Sequence, residues 1–353
     1  MAKLRIAVLF GGRSGEHEVS IRSAASVIRA LDRGRYAVTP VAINKQGRWL
    51  GPADSVKLLP AEAQAELSTE TAVTVSREPE ATSGVDVVIP ILHGTFGEDG
   101  TVQGLLELAD VAYVGAGVLG SACGMDKDVM KRLFRERGLP TVEHIAVLRR
   151  DVEQRPNWIR EQTEAHFRYP VFVKPANLGS SVGVSRADDA EGLRRALEEA
   201  ALYDRKLVIE RGVEGREIEV AVLGNDSPEA SVAGEIIPTA GFYDYEAKYV
   251  NDSAKLAIPA ELSEAQAAEV RRLAVAGFQA VECRGLARVD FFLESETGRF
   301  LLNEVNTMPG FTSISMYPKL WQASGVPYAE LLDRLIALAL EAHAEKKATR
   351  FEK

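Results

Sequence analysis

Two runs near the end of the chain, Arg288-Val-Asp290-Phe-Phe-Leu and Leu302-Asn-Glu304-Val-Asn306-Thr-Met-Pro-Gly310, set polar residues at alternate positions of otherwise apolar strands. Side chains alternate faces along a strand, so Arg288 and Asp290 point one way and Val289 and Phe291 the other; Glu304 and Asn306 likewise share a face. A hairpin of these strands buries one face and gathers a guanidinium and three oxygen donors on the other. Two carboxylates and an amide suit Mg²⁺, which takes few protein ligands, keeps waters and lets phosphate oxygens complete an octahedron. The chemistry implied is phosphoryl or nucleotide handling. The competing reading, edge charges on an ordinary hairpin, does not require four polar residues in phase.

Upstream the pattern is different. Arg5 to Phe10 is a near-continuous apolar run closed by Gly11 and Gly12, as for a buried parallel strand, and a helix is expected from about Ser20 to Leu31. Tyr36 to Ile43 and Val85 to Ile91 read as further strands, and Thr101 to Leu108 as a helix opening after Gly100. Together these make an open α/β sheet. Segment 52 to 82 reads as decoration around a short helix, with a strand near Ala72 to Val75. A helix is predicted from Met125 to Arg137, stopped by Gly138 and Pro140.

A second class of sheet follows. Val171 to Pro175 and Leu207 to Glu210 read as strands around a helix from Leu193 to Ala201, and Glu217 to Leu223 alternates as a half-buried antiparallel strand does. Long helices are expected from Ser263 to Val281 and from Tyr328 to about Ala344, the latter with Leu331, Leu335 and Leu338 on one stripe and a fraying charged tail after it. At 353 residues the chain suits two or three domains.

Polar, glycine-rich loops close the first and third strands. Gly11-Gly-Arg13-Ser14-Gly15-Glu16-His17-Glu18 and His93-Gly-Thr-Phe-Gly-Glu98-Asp99-Gly100 lie at the carboxyl edge of a parallel sheet, where ligands of such sheets sit. Taken alone, Glu16 and Glu18 equally suit the first turn of a helix, and a lone histidine is more often structural than catalytic. Lys127 at a helix start, Lys174 at a strand end and the small-residue loop Asn177-Leu-Gly-Ser180-Ser181-Val-Gly183 supply two ammonium groups and open backbone amides, a cradle for a triphosphate. The Gly-Lys-Ser/Thr of the P-loop is absent. Phe242 to Tyr249, aromatic and charged, suits a lid carrying Lys248 or a packed Ω-loop.

In this order the motifs resemble the D-alanine:D-alanine ligases of the ATP-grasp superfamily, and the resemblance spans essentially the whole chain. It rests on the two glycine-rich loops, Met125-Asp-Lys127, Lys174 to Gly183, Tyr243-Asp-Tyr-Glu-Ala-Lys248-Tyr249, Arg288-Val-Asp290 and Glu304 to Gly310. It implies an α/β fold, α+β in the ATP-binding part: an N-terminal open parallel sheet and two antiparallel-sheet domains that grip ATP, divided 1–120, 121–208 and 209–353. Carried over by position, it gives Asp290, Glu304 and Asn306 as ligands of two Mg²⁺ ions, with Mn²⁺ able to substitute. Lys127, Lys174, Lys248, Ser180 and Ser181 would face ATP phosphates, Glu210 and Val213 the adenine, and Glu217 the ribose. Glu16 and His93 would hold the first D-alanine, with Ser180 and Tyr249 joining the Glu16 loop to the lid. Ser315 and Met316 would bind the second D-alanine, and Arg288 with the Gly310 amide would stabilise the tetrahedral oxyanion.

Composition narrows the alternatives. A net charge of −9 with no long basic run argues against a nucleic-acid partner, and no segment approaches a membrane span. Cys123 and Cys283 fit neither a metal nor a redox spacing, and the apolar start is too short for a signal segment, so a cytoplasmic location is expected. The resemblance also implies a homodimer. Within the class the runner-up is a ligase taking D-serine or a hydroxy acid as acceptor; outside it stand a non-catalytic nucleotide sensor, which has no need of metal ligands, and a carboxylating ligase, which would lack the Glu16 and lid motifs.

Overall fold

Unbroken apolar runs become the central strands of a parallel sheet, because both of their faces are covered. In the computed structural model, which describes residues 2–67, 84–238 and 254–350, β1 (Leu4–Gly11) is followed by α1 (His17–Ala30), β2 (Tyr36–Ile43), the short α2 (Pro52–Lys57) and α3 (Ala61–Ala65), β3 (Val87–Ile91), α4 (Thr101–Leu108) and β4 (Ala112–Tyr113). The strands pair in parallel in the order β2-β1-β3-β4. Gly11 is required where β1 ends: its φ is +92°, and a Cβ there would stand 2.2 Å from the Ile43 carbonyl oxygen. Buried Ser20 then ties the turn to the sheet, accepting the Gly11 N–H at 2.7 Å and donating to the Ile91 carbonyl.

Helix α1 begins at His17, three residues before the expected Ser20, so the polar Glu16-His17-Glu18 stretch is the helix entry and not a free loop. The helix predicted over Met125 to Arg137 is α6 (Lys127–Glu136), which starts two residues later than expected, and a separate helix, α5 (Val118–Met125), precedes it. Asp126 makes the break: its backbone is extended and its side chain accepts the N–H groups of Asp128 and Val129 at 3.1 and 3.0 Å, an N-cap that restarts the helix. The strand expected near Ala72 to Val75 lies outside the described residues.

A second sheet orders β5 (His144–Leu148), β8 (Lys206–Arg211), β6 (Val171–Pro175) and β7 (Ser185–Ala187), all antiparallel, with α7 (Arg149–Gln154), α8 (Pro156–His166) and α9 (Ala190–Tyr203) packed beside it. The third sheet is antiparallel in the order β11-β10-β9-β12-β13, from β9 (Gly215–Gly224), β10 (Glu229–Pro238), β11 (Ala254–Ala257), β12 (Gly285–Glu294) and β13 (Phe300–Asn306). Helix α10 (Glu264–Ala280) covers it, opened by a Ser263–Gln266 capping box.

The last helices, α11 (Met316–Ala323) and α12 (Tyr328–Ala348), return to the first sheet: Tyr317, Leu331 and Leu335 share one core with Ile6, Val8 and Ile89. Helix α12 runs four residues past the expected end, because its charged last turn is held: Lys346 pairs with Glu107, and Lys347 with Asp110 at 3.2 Å. The segment after Gly310 is thereby anchored to the sheet that carries Glu16 and His93.

Candidate active site

The β12–β13 hairpin register sets Arg288 opposite Asn306 and Asp290 opposite Glu304, while Val289 and Val305 enter the core behind them. The alternation read from the sequence therefore produces the polar face it implied. That face opens on a cavity of about 530 Å³ at the junction of the three sheets. The carboxyl edge of the first sheet contributes Glu16, His93 and Glu98; the second contributes Lys174, Ser180, Ser181 and Glu210; the third contributes Val213 at its entry, Glu217, Arg288, Asp290, Glu304 and Asn306. Lys127, from the start of α6, and Gly310 also line it.

On the first sheet's side, Ser180 donates to Glu16 Oε1, joining two loops 164 residues apart. Ser180 and Ser181 hold φ of 52° and 57°, left-handed values that non-glycine residues seldom adopt. His93 is buried; its Nδ1 faces the Met308 carbonyl oxygen at 3.0 Å and so donates, leaving Nε2 toward Ser23 Oγ at 3.4 Å. The imidazole thus fastens the β3 loop to the segment before Gly310. Gly94 lets the loops close, for a Cβ there would stand 2.9 Å from Glu16 Oε2.

Glu98, a residue not singled out from the sequence, accepts the Gly94 N–H at 2.7 Å. Burial, reinforced by the nearby Glu16 carboxylate, pushes its pKa up to about 8. An acid raised in the folded state binds a proton the unfolded chain has released, so it subtracts stability as pH climbs from the ordinary carboxylate range toward 8. The expected result is that the stability of wild type falls relative to Glu98→Gln between pH 5 and 8, by at most about 1.4 kcal/mol per pH unit, seen as a melting temperature that drops further behind the variant's as pH rises. Parallel melting curves of the two proteins across that range would remove the assignment.

On the nucleotide side, Lys127 Nζ donates to the Leu178 carbonyl at 2.6 Å and lies 3.8 Å from Glu304 Oε2. Lys174 Nζ donates to Glu210 Oε2 at 2.6 Å, and a fully buried lysine, Lys131, stands 3.2 Å from the other oxygen. Burial alone would raise the Glu210 carboxyl, but the two ammonium groups outweigh it and hold the pKa at about 2. Lys131 also escaped the sequence reading, although its position one helical turn beyond Lys127 was a usable signal.

Arg288 donates to both Asp290 oxygens at 2.7 Å and lies 3.0 Å from Glu219 Oε2; the two carboxylates hold its pKa up against the cost of burial. Asn306 Nδ2 donates to Asp290 Oδ2 at 2.8 Å and approaches Glu304 Oε1 at 3.4 Å. The set of two carboxylates and one amide fits a hard divalent cation, once the Asn306 amide turns its oxygen inward. Among the described residues no group of three or more His, Cys, Asp or Glu is arranged for a metal.

Ser315 and Met316 do not line the cavity. Ser315 Oγ accepts the Thr312 N–H at 3.1 Å at the start of α11, and the Met316 side chain belongs to the core. Of this pair only Ser315 approaches the site, 3.2 Å from where a Gly310 Cβ would stand. Lys248 and Tyr249 lie outside the described residues.

Comparison with known proteins points to one family. Residues 5–116 match the family described as D-ala D-ala ligase N-terminus, and residues 133–337 the family described as D-ala D-ala ligase C-terminus. A D-alanine–D-alanine ligase of Solibacter usitatus is 53% identical over 350 residues, covering 99% of both chains. The solved structure of the D-alanine–D-alanine ligase from Coxiella burnetii superposes with a TM-score of 0.83 at 38% identity, over 98% of this chain and 97% of that one. A D-Ala:D-Ser ligase from Enterococcus faecalis reaches 0.84 at 34% identity, over 96% of this chain and all of the other.

Proposed function

Because the chain belongs to the family of D-alanine–D-alanine ligases, with their ATP-grasp fold, we infer that it joins two D-alanine molecules at the expense of ATP, making D-alanyl-D-alanine for peptidoglycan precursors. The observation that carries this reading is the single cavity in which Glu16, Lys127, Lys174, Arg288 and Glu304 converge from three sheets.

A carboxylate is a poor acyl donor, since its leaving group would be oxide. The first D-alanine carboxylate therefore attacks the terminal phosphorus of ATP, giving ADP and D-alanyl phosphate. Glu16, fixed by Ser180, holds that substrate's ammonium; His93 keeps the adjoining loop in place through Met308. Lys127 and Lys174 face the phosphates and offset their charge. Mg²⁺, or Mn²⁺ in its stead, held by Asp290, Glu304 and Asn306, would neutralise the transferring phosphoryl group. The amine of the second D-alanine then attacks the acyl carbon. Arg288 and the Gly310 N–H stabilise the oxyanion, phosphate leaves, and the dipeptide remains. Ser315 and the Met316 backbone would hold the second carboxylate, Glu210, Val213 and Glu217 the nucleoside, and Lys248 with Tyr249 would close the site against water.

The resemblance also supports a division into substrate domain 1–120 and nucleotide-gripping parts 121–208 and 209–353, a homodimer and a cytoplasmic location. None of the described helices is long and apolar enough to cross a membrane.

The test is phosphate release from Mg-ATP with D-alanine alone and with D-alanine plus D-serine or D-lactate, products identified by mass spectrometry. D-alanyl-D-alanine is the expected product in every mixture. The likeness to a D-Ala:D-Ser ligase makes acceptor choice the second reading: a mixed product as the main species would move the protein there, and no turnover would favour a nucleotide sensor.

A further inference from the structure

The Lys131 ammonium is fully buried, an uncommon fate for lysine, and does not line the cavity. It joins two sheets. Nζ stands 3.2 Å from Glu210 Oε1 on β8 and donates at 3.1 Å to the carbonyl of Asn303 on β13, the residue beside Glu304. The other Glu210 oxygen accepts from Lys174, which does line the cavity. One carboxylate is therefore shared between an ammonium that faces the ligand space and one that does not.

Charge balance gives this arrangement a consequence. Lys131, Glu210 and Lys174 together carry one net positive charge; without Lys131, Glu210 and Lys174 form a neutral pair, and among the described residues Lys174, at 2.6 Å, is then the one ion-pair partner of that carboxylate. Stability alone does not call for a cation here, since replacing a buried ion pair by apolar groups is often neutral. We propose that Lys131 is a positioning residue for the nucleotide phosphates. It satisfies Glu210 so that the charge of Lys174 acts on a phosphate, and it fastens β8 to β13 beside Glu304. The proposal rests on the ligase reading only in taking ADP and ATP as the ligands.

The test compares ADP and adenosine binding, by calorimetry with Mg²⁺ present, in full-length wild type, Lys131→Met, Lys131→Arg and Lys131→Met/Glu210→Gln, each checked for cooperative melting. Lys131→Met should weaken ADP about tenfold, the order of one lost charge-assisted contact, and raise KM for ATP in parallel. In Lys131→Met, adenosine affinity and KM for D-alanine should stay within about twofold; Lys131→Arg should recover most of the ADP affinity; and adding Glu210→Gln, whose own effect at the adenine falls on adenosine as well, should restore most of the ratio of ADP to adenosine affinity. Equal losses for ADP and adenosine would mean general loosening and would overturn the proposal, as would unchanged ADP affinity in Lys131→Met. Should Lys131→Met fail to fold, the charge-balanced double variant decides by its ratio of ADP to adenosine affinity, since any loss at the adenine from Glu210→Gln falls on both ligands: with Lys174 no longer paired to a carboxylate that ratio must stay near the wild-type value, and a tenfold fall in it refutes the idea. A wild type that binds no ADP would instead defeat the ligase reading beneath it.

Discussion

Glu304→Gln should fold as wild type does and lose about a thousandfold or more in turnover. The carboxylate lies on β13, its side chain 24% exposed, toward the cavity. It faces Asp290 across the hairpin as a like-charged neighbour, with Lys127 at 3.8 Å and the Asn306 amide at 3.4 Å beside it. Removing a negative charge from such a place relieves repulsion, so the melting temperature should hold or rise slightly, the usual sign of a site set up for function at some expense of stability. Phosphoryl transfer leaves a protein little to do beyond positioning and charge neutralisation, so the loss of one hard oxygen donor falls on kcat and on the metal requirement. The measurement is phosphate release against Mg²⁺ and Mn²⁺ concentration. Partial rescue at high metal is expected, whereas near-normal turnover at ordinary Mg²⁺ would show that Glu304 is not a metal donor and would remove the main support for the assigned site.

Much of the frame was legible in the sequence because its signals were local. The predicted β2, α4 and β6 end where the structure ends them, each bounded by proline, glycine or a polar turn that offers no alternative continuation. The phase of Arg288, Asp290, Glu304 and Asn306 needed only the two-residue repeat of a strand. Most of what escaped depended on partners distant in sequence; the Asp126 cap, whose partners are the Asp128 and Val129 amides, was local and escaped all the same. Asp126 reads as one more polar helix residue until its side chain is seen capping α6, and Lys131 resembles any surface lysine until Glu210 and Asn303 are placed beside it. Glu98 owes its raised pKa to burial first and then to Glu16, eighty-two positions earlier in the chain, neither of which its own neighbours announce. The Ser315–Met316 pair was placed by family position alone, and the Met316 side chain is given over to the core that binds α11 to the first sheet.

Arg288→Ala should lower both stability and turnover, and Arg288→Lys should separate the two. The guanidinium is buried between Asp290, which it grips with two N–H groups, and Glu219, which faces Asp290 across the β9–β12 pair. Removing it leaves two carboxylates facing each other with little solvent, so Arg288→Ala should cost about 3–5 kcal/mol of stability. Loss of an oxyanion donor should add about 10²–10³ in kcat, read on enzyme kept folded by ADP. A lysine restores the charge and should recover most of the stability. Its ammonium cannot, however, span both Asp290 oxygens, meet Glu219 and still present an N–H to the reacting carbon's oxygen, because it lacks the planar fork of five donors. Arg288→Lys is therefore expected to melt within a few degrees of wild type yet stay about a hundredfold slow, with KM for ATP little changed. Turnover within about threefold of wild type in that variant would mean that charge alone suffices, and the oxyanion role would pass from Arg288 to the Gly310 amide.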